Sequence, residues 1–301
     1  MNTHTDVLPS ELPADAAQFT KGNDSQAIGD IIRQTNNLSA DQVERILSYQ
    51  VQHGVKFGEA AVALGFAKQE DVAWALARQF DYHYANKTSS SISDEVVVAT
   101  KPFSDQAEIF RATRSHLLET AFAKPDNRPA LVMMSTATGD GKSYFAANMA
   151  ASFSQLGART LLIDADLRTP RQHEIFGVDG KAGLSGILSG RAETKLIHPV
   201  EDLPSLYVLP AGVVPPNPIE LVQRAAFSQL IQDLKKKFDF IIVDAPASEL
   251  GSDARVIATH CGMALAICRR NKTRIDALQA LISPLKISNH VQLAGVVVNE
   301  H

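Results

Sequence analysis

A glycine-rich turn between an apolar run and a helical pattern limits the fold of this chain most strongly. The run LVMMS (131–135) leads into TATGDGKS (136–143), and the sequence continues as YFAANMA (144–150). The glycines let backbone N–H groups turn inward around a phosphate, and the positive end of the following helix dipole strengthens that attraction. This order of strand, loop and helix predicts a P-loop that binds nucleotide phosphates.

The residues of this loop have separate expected roles. Lys142 is expected to reach the β- and γ-phosphates of ATP, and the Ser143 hydroxyl is expected to bind Mg²⁺. The strict eight-residue pattern begins with glycine, whereas this chain has Thr136 at that position. The predicted nucleotide-binding residues are Gly139, Asp140, Gly141, Lys142, Ser143 and Tyr144.

Apolar runs alternate with helical patterns from residue 129 onward. Because these runs are apolar on both faces of a strand and are separated by helices, they predict a mainly parallel, doubly wound α/β sheet covered on both sides. The predicted strands are 131–135, 160–164, 206–209, 239–243, 262–268 and 293–298.

Acidic residues follow two of these strands. LLIDAD places Asp164 and Asp166 at one strand end, and FIIVD places Asp244 at another. In an open parallel sheet the carboxyl ends of the strands line the ligand crevice. Carboxylates there hold magnesium through its waters or accept a hydroxyl proton. A single Asp after a strand commonly caps the next helix, but three of them after a phosphate loop favour a functional site.

The residues before the sheet predict a separate organisation. Residues 1–24 are polar and aperiodic, which predicts a disordered tail. Residues 27–50 and 56–79 align with each other, and each copy predicts a short helix, a turn and a longer helix that begins after Ser39 or Lys68. The predicted regions are a tail (1–24), a small helical repeat domain (25–86), a Ser-rich linker (87–103) and the P-loop domain (104–301).

Composition argues against two broad classes of protein. Lys and Arg number 29 and Asp and Glu number 33, and this near balance argues against a protein that coats nucleic acid. No apolar run approaches the roughly 18–20 residues of a membrane-spanning helix. The first residues show neither the basic start nor the apolar core of a secretory signal. We therefore expect a cytoplasmic protein with no nucleic-acid partner.

The segment from about 107 to 299 resembles the bacterial tyrosine kinases of the exopolysaccharide chain-length type, including EpsG-like members. The resemblance rests on STATGDGKSYFAANMA, LLIDADLRTP, GLSGIL, PPNPIELV, DAPA and CRRNKT. The doubled-Asp strand followed by Arg168 and Pro170 is the part of the resemblance that is most specific to this family. The resemblance implies an ATP- and Mg²⁺-dependent protein tyrosine kinase that regulates polymerisation or export of an exopolysaccharide.

The resemblance also implies residue roles. Asp164 is expected to accept the proton of the tyrosine hydroxyl, while Asp166 and Asp244 are expected to position magnesium around Ser143. Lys142, Asp164 and Asp166 then form the predicted catalytic group.

The alternative is a non-kinase ATPase of the partitioning and division-site type, or a nucleotide-gated assembly factor. Partitioning ATPases share the fold and the doubled-Asp strand, but they carry a second lysine at the start of the loop. This chain has Ala137-Thr138-Gly139 there, which counts against a dimerising switch.

Glu108, Arg111 and Arg114 (in EIFRATR) keep the spacing of the helix that joins related kinases into a ring. Spacings of three place all three side chains on one helical face, so they predict a homo-oligomer or, alternatively, an ordinary solvated face. The resemblance further implies a partner, a membrane chain-length regulator on a separate chain. Such a partner would recruit the protein to the inner face of the cell membrane.

The phosphate acceptor is left open by the sequence. Related kinases typically end in a tyrosine cluster, whereas this chain ends in Asn299-Glu300-His301. The acceptor is then another protein, or Tyr82 and Tyr84 near the predicted linker, or the kinase activity is vestigial.

The repeat domain resembles the small domain at the start of type II secretion ATPases. Some relatives of that domain bind cyclic di-GMP through two 24-residue copies, and the candidate residues here are Lys56, Gly58 and Gly65. The first copy has Ala27-Ile28-Gly29 and so has no cation at the matching position, which favours a protein-docking role over cyclic di-GMP binding.

Overall fold

The computed structural model describes residues 28–79, 84–85, 90–124, 128–191, 195–288 and 290–300. The chain divides into two compact units, with the larger one running from Tyr84 onward. The predicted tail at 1–24 and the candidate acceptor Tyr82 lie outside the described residues. Among the described residues, no helix is both long enough and apolar enough to cross a membrane.

The smaller unit is helical, as the repeated pattern predicts. Its helices are α1 (Ile28–Thr35), α2 (Ala40–His53), α3 (Phe57–Ala63) and α4 (Gln69–Gln79). A capping box starts α2, since the Ser39 hydroxyl accepts the Gln42 N–H and the Gln42 side chain accepts the Ser39 N–H. Before α4, the N–H of Lys68 donates to Asp71 at 2.8 Å. Apolar side chains from all four helices form one small core.

The larger unit alternates strands with helices, which confirms the predicted α/β class. Its strands are β1 (Ala130–Ser135), β2 (Thr160–Asp164), β3 (His198–Val200), β4 (Leu203–Leu209), β5 (Phe240–Asp244), β6 (Gly262–Arg269) and β7 (Gln292–Asn299). Its helices are α5 (Val97–Thr100), α6 (Asp105–Thr120), α7 (Lys142–Ser154), α8 (Gln172–Phe176), α9 (Leu184–Leu188), α10 (Pro218–Val222), α11 (Ala225–Lys235), α12 (Asp253–Cys261) and α13 (Ile275–Ile287).

The strands of the described residues form one sheet in the order β3-β4-β2-β5-β1-β6-β7. Every neighbouring pair is parallel except β3 and β4. In the register of β2 and β5, Asp164 lies beside Asp244, and β1 places Met133 on the other side of Asp244. The topology therefore brings the predicted loop and the predicted acids to the same edge of the sheet.

The sheet is covered on both faces. Leu131 and Met133 of β1 pack into one apolar cluster with Phe153 of α7, whereas Val132 and Met134 pack into the cluster on the opposite face. Side chains alternate between the two faces of a strand, so a strand buried on both sides must be apolar throughout. This burial explains why the strands appear in the sequence as continuous apolar runs.

Part of the predicted linker belongs to the core of the larger unit. Ile92 is 7% exposed, and residues 96–99 are buried as well. Asn148 of α7 fixes this segment, because its Nδ2 donates to the Glu95 carbonyl at 2.8 Å and its Oδ1 accepts the Val98 N–H at 3.1 Å. The linker prediction was wrong here. It relied on the serine-rich composition and gave too little weight to the short apolar run VVVA that follows the serines.

Candidate functional site

The predicted P-loop joins β1 to α7 with the backbone shape of an anion cradle. Gly139 and Gly141 have φ values of 84° and 96°, in the left-handed region that glycine adopts without strain. A Cβ on Gly141 would lie 2.3 Å from Nδ2 of Asn299 at the end of β7, so a larger residue would have to displace that side chain as well as adopt a strained φ. Because α7 begins at Lys142, its first N–H groups lie at the loop.

Asp140 shapes the loop through its buried carboxylate. Its Oδ2 accepts the Thr136 hydroxyl at 3.0 Å and the Ala137 N–H at 2.9 Å. Thr136, which stands where the strict pattern has glycine, therefore supplies a bond that closes the loop. Since these contacts occupy the Asp140 side chain, the predicted nucleotide contact of Asp140 is left to its backbone N–H.

The segment after β6 braces the loop from the other side. Arg269 Nη1 donates to the Gly139 carbonyl at 3.3 Å, and the Thr273 hydroxyl donates to Asp140 Oδ1 at 3.1 Å. Asn299 Nδ2 donates to the Asp140 carbonyl at 3.1 Å. The shape of the loop thus depends on the ends of β6 and β7 as well as on its own glycines.

The Lys142 ammonium group lies among the three predicted acids. It donates to Asp166 Oδ2 at 3.0 Å and approaches the Ser143 hydroxyl at 3.3 Å. Burial by itself lowers the pKa of Lys142, but the negative charges of Asp244, Asp166 and Asp164 outweigh burial and raise this pKa. Lys142 is therefore a buried cation balanced by carboxylates.

Asp166 is an ionised carboxylate fixed by the turn after β2. Its Oδ1 accepts the N–H groups of Arg168 at 3.2 Å and Thr169 at 2.9 Å, and its Oδ2 accepts the Thr169 hydroxyl at 3.0 Å. Burial raises the pKa of Asp166, but the Lys142 charge and the bonds from Thr169 outweigh it and lower the pKa overall.

Asp164 caps the start of α8. Its Oδ2 accepts the N–H groups of Arg171 at 3.1 Å and Gln172 at 3.0 Å, and its Oδ1 accepts the Asp166 N–H at 3.2 Å. Burial, followed by the charge of Asp244, raises the pKa of Asp164 well above its ordinary value. Asp164 therefore both caps α8 and forms part of the candidate site.

Asp244 is hydrogen-bonded to a neighbouring side chain through only one of its two carboxylate oxygens. Its Oδ2 accepts Nε2 of Gln172 at 2.8 Å, whereas its Oδ1 is buried without a partner among the described residues. Burial raises the pKa of Asp244, and the Lys142 charge with the bond from Gln172 offsets only part of that effect. Two buried carboxyls side by side favour one shared proton.

The predicted metal ligands Ser143, Asp166 and Asp244 all lie close to Lys142. No group of three or more His, Cys, Asp or Glu in the described residues is arranged to hold a metal ion by itself. The unpartnered Oδ1 of Asp244 does fit magnesium that keeps most of its waters, because Mg²⁺ is commonly bound through few carboxylates and the substrate phosphates. The donor set suits the magnesium of a nucleotide complex.

Sequence reasoning missed two residues that organise the site. Gln172 is fully buried, and its Nε2 donates to the Ser143 carbonyl at 3.1 Å as well as to Asp244. Asp253, at the start of α12, accepts Arg168 in a two-pronged ion pair with a shortest distance of 3.0 Å. These side-chain partners lie 29 to 85 positions apart in the sequence, so no local pattern reveals them.

Tyr144, the last predicted nucleotide contact, packs toward α6. Its ring meets Phe110 edge-on with centroids 5.8 Å apart. Burial, followed by the charge of Glu95, raises the pKa of the Tyr144 phenol. The structure gives this side chain a packing role, which leaves the backbone of Tyr144 for the predicted contact.

Glu108, Arg111 and Arg114 lie on α6, as their spacing predicts. Arg111 pairs with Glu108 and donates to the Pro102 carbonyl at 2.7 Å. Arg114 donates to the Ser152 carbonyl of α7 at 2.5 Å, and burial lowers the pKa of Arg114. Both arginines thus have partners within the chain, and their contact between subunits stays a prediction.

Two of the three candidate cyclic di-GMP residues, Gly58 and Gly65, have structural explanations in the smaller unit. A Cβ on Gly58 would lie 2.5 Å from Cγ1 of Val72, so Gly58 permits close packing of α3 on α4. Gly65 has a φ of 71° in the turn after α3. The Lys56 N–H donates to Glu59 at 2.9 Å, while the Lys56 side chain is exposed. Of the three, Lys56 alone has no structural explanation for its side chain.

The fold and the loop together define a P-loop nucleotide-binding domain, and comparisons with known proteins agree. Residues 131–301 match the family described as the CobQ/CobB/MinD/ParA nucleotide binding domain. The putative tyrosine-protein kinase CapB of Staphylococcus aureus is 32% identical over 201 residues, which cover 65% of this chain and 86% of CapB. The tyrosine-protein kinase wzc of Salmonella typhi is 30% identical over 192 residues, which cover 64% of this chain and 26% of wzc.

Among solved structures, the kinase domain of the Escherichia coli tyrosine kinase ETK matches with a TM-score of 0.64 and 28% identity, over 71% of this chain and 82% of that one. The chain belongs to the bacterial tyrosine-protein kinase family, within the nucleotide-binding class named above. The predicted family is thereby confirmed for the P-loop domain. The likeness of the smaller unit to a secretion-ATPase domain stays a prediction.

Proposed function

We propose that this chain is an ATP- and magnesium-dependent protein tyrosine kinase that regulates polymerisation or export of an exopolysaccharide. One observation carries the proposal. A buried lysine of the P-loop, Lys142, lies within a group of three carboxylates that two adjacent parallel strands place beside it. Phosphoryl transfer depends mainly on positioning and charge stabilisation, and this group supplies both.

Lys142 and the loop are the parts that bind phosphate. The raised pKa of Lys142 keeps it positively charged, and the ion pair with Asp166 holds its ammonium group beside the first residues of α7. In the proposed complex, the N–H groups of Gly139, Gly141 and Ser143 contact phosphate oxygens, and Lys142 stabilises charge on the transferring group.

Ser143, Asp166 and Asp244 are the proposed magnesium residues. When bound there, magnesium would neutralise charge on the nucleotide phosphates. Asp166 is ionised because its pKa is lowered, and Asp244 offers an oxygen that no other described residue uses. The Ser143 hydroxyl lies 3.3 Å from the Lys142 ammonium nitrogen, which itself contacts Asp166.

Asp164 is the proposed acceptor of the tyrosine hydroxyl proton. Its raised pKa suits this role, because a general base works best with a pKa near the operating pH. In the structure its oxygens accept three backbone N–H groups and the side chain is fully buried. Proton acceptance therefore requires that one of these bonds yields when the tyrosine binds.

The proposed partner is a membrane chain-length regulator on a separate chain, which would recruit the kinase to the inner face of the cell membrane. The family includes long members, since this chain covers only 26% of wzc, and short ones, since it covers 86% of CapB. We expect a short member of an enzyme family to obtain from a partner chain the segments that a long member carries in its own chain. Assembly into a homo-oligomer through Glu108, Arg111 and Arg114 belongs to the same proposal.

The test is incubation of the full chain with labelled ATP and magnesium, with and without the cytoplasmic segment of a candidate membrane regulator. We expect phosphotyrosine in this chain or in the regulator, mapped by mass spectrometry, and none with Lys142→Met. Release of inorganic phosphate without phosphotyrosine in any protein would contradict the kinase proposal. That outcome would favour the partitioning type of ATPase.

A further inference from the structure

Gln172 reaches three separate parts of the candidate site. Its backbone N–H donates to Asp164 Oδ2 at 3.0 Å, at the end of β2. Its side-chain Nε2 donates to Asp244 Oδ2 at 2.8 Å and to the Ser143 carbonyl at 3.1 Å. The residue is fully buried in the first turn of α8. One side chain thus connects the end of β5 with the P-loop.

The chemistry of its partners fixes the orientation of the Gln172 amide. A carboxylate oxygen and a backbone carbonyl oxygen both accept hydrogen bonds, so the group between them must be the NH₂. The flipped amide would place Oε1 against two oxygen atoms and is therefore excluded. In the observed orientation, Oε1 of Gln172 is buried without a partner among the described residues, as is Oδ1 of Asp244.

The two unsatisfied oxygens belong to side chains that are hydrogen-bonded to each other. Buried acceptors without a donor are rare in folded proteins, and each one calls for an explanation. Asp244 is itself a proposed magnesium residue, and the Gln172 amide bonds to Asp244 and to the carbonyl of Ser143, another proposed magnesium residue. A hydrated magnesium ion presents water hydrogens, and these are the donors that such a pair of oxygens would accept.

We propose that Gln172 is a positioning residue of the magnesium site. It holds Asp244 through Oδ2, which keeps Oδ1 of Asp244 and its own Oε1 as acceptors for magnesium-bound water. The inference rests on the proposed ATP- and magnesium-dependent function. Residues that orient a metal's ligands or its waters commonly change metal affinity by about 10-fold to 100-fold when removed.

Gln172 should therefore govern the magnesium dependence of nucleotide binding more than nucleotide binding itself. Its side chain bonds to the carbonyl of Ser143 and leaves the N–H groups of the loop free for phosphate. The N–H bond from residue 172 to Asp164 comes from the backbone, so it survives substitution of the side chain. A purely structural role would lower nucleotide affinity equally with and without magnesium.

The experiment is calorimetric titration of the full chain with ADP, once in excess magnesium and once in EDTA. Gln172→Met removes the donor and the acceptor while keeping a side chain of similar length. Gln155→Met is the matched control, because Gln155 Nε2 also donates to a carbonyl, that of Val98 at 3.0 Å, outside the site. We expect Gln172→Met to lose about tenfold of the affinity that magnesium adds and to keep the affinity measured in EDTA. The control should keep both values.

Gln172→Ala is measured alongside, so that the result does not depend on one variant folding. If either folded variant keeps the magnesium dependence of the natural chain, the inference is wrong. Equal loss of affinity with and without magnesium would also overturn it. If the natural chain itself shows no magnesium dependence, the proposed function fails and the inference fails with it. If the natural chain shows the dependence and a folded Gln172 variant keeps it, the inference alone fails.

Discussion

Lys142→Met is expected to weaken the folded state as well as abolish phosphoryl transfer. The Lys142 Nζ to Asp166 Oδ2 distance is 3.0 Å, and the two side chains are 8% and 0% exposed. Methionine preserves the length of the side chain but leaves Asp166 buried without a counter-ion. Removing one partner of a buried ion pair costs about 3–5 kcal/mol. In a unit of this size, that cost corresponds to a melting temperature lower by about 10 °C.

The pH dependence of this loss follows from the pKa of Asp166. In the natural chain Lys142 helps to hold the pKa of Asp166 below its ordinary value. The ion pair therefore stabilises the fold fully at pH values above the ordinary pKa of an aspartate. This stabilisation is lost as pH falls through the lowered pKa of the folded chain. In the variant the Lys142 charge no longer lowers the pKa of Asp166, so this pKa rises relative to the natural chain, while the bonds from Thr169 remain. A carboxyl whose pKa rises in this way destabilises the variant, relative to the natural chain, increasingly as pH rises. The variant should therefore recover stability when pH is lowered from about 7.5 to about 5.

Thermal unfolding of the nucleotide-free chain, followed by calorimetry at both pH values, measures this effect. Lys236→Met is the matched control, because Lys236 Nζ lies 2.8 Å from Asp233 but is 73% exposed. Solvent and salt screen such a pair, so the control should leave the melting temperature nearly unchanged. An unchanged melting temperature for Lys142→Met, or a loss of the same size at both pH values, would refute the reasoning.

Four further predictions address other parts of the molecule. Asp244→Asn should raise the melting temperature of the nucleotide-free chain near neutral pH, because the pKa of Asp244 is raised and its ionised form is disfavoured in the fold. Unfolding scans that show a lower melting temperature for the variant would contradict this prediction. Asp164→Asn should reduce phosphotyrosine turnover about 100-fold or more with nucleotide affinity kept, as titration and rate measurements would show. Replacing Arg111 and Arg114 together with Ala should lower the mass of an oligomeric parent in light scattering, and an unchanged mass rejects the ring. Cyclic di-GMP should give no heat with the full chain at high ligand concentration; micromolar binding that disappears in Lys56→Ala would reverse the preference for protein docking.

The sequence predicted the sheet well where burial dictates composition. The six predicted strands are all present. β1, β2, β5 and β6 are visible as apolar runs because a strand covered on both faces must be apolar throughout. The strand β3 was missed. It has three residues, includes Pro199 and pairs antiparallel at the edge of the sheet. Such a strand needs no apolar run, and proline is tolerated only in that kind of position.

The candidate site was predictable only where chain order dictates position. Asp164 and Asp244 are the last residues of β2 and β5, so the parallel sheet necessarily brings them to one edge. Gln172 and Asp253 were not predictable, because each is selected by a partner that the folded chain brings near from a distant part of the sequence. Asn148 is a similar case, since it bonds to a segment 50 positions earlier.

Charge balance in the buried centre of the site is expected to make nucleotide binding depend on magnesium. One cation, Lys142, faces the ionised Asp166 and the neighbouring carboxyls of Asp164 and Asp244, whose pKa values burial raises. A polyphosphate without metal would add negative charge beside these carboxylates, where low polarity strengthens repulsion. A nucleotide that brings a divalent cation adds charge of the favoured sign. We therefore expect Asp164 and Asp244, whose ionised forms are disfavoured in the nucleotide-free chain, to favour the magnesium-bound nucleotide. Asp244→Asn, which gains stability, should for the same reason lose that preference.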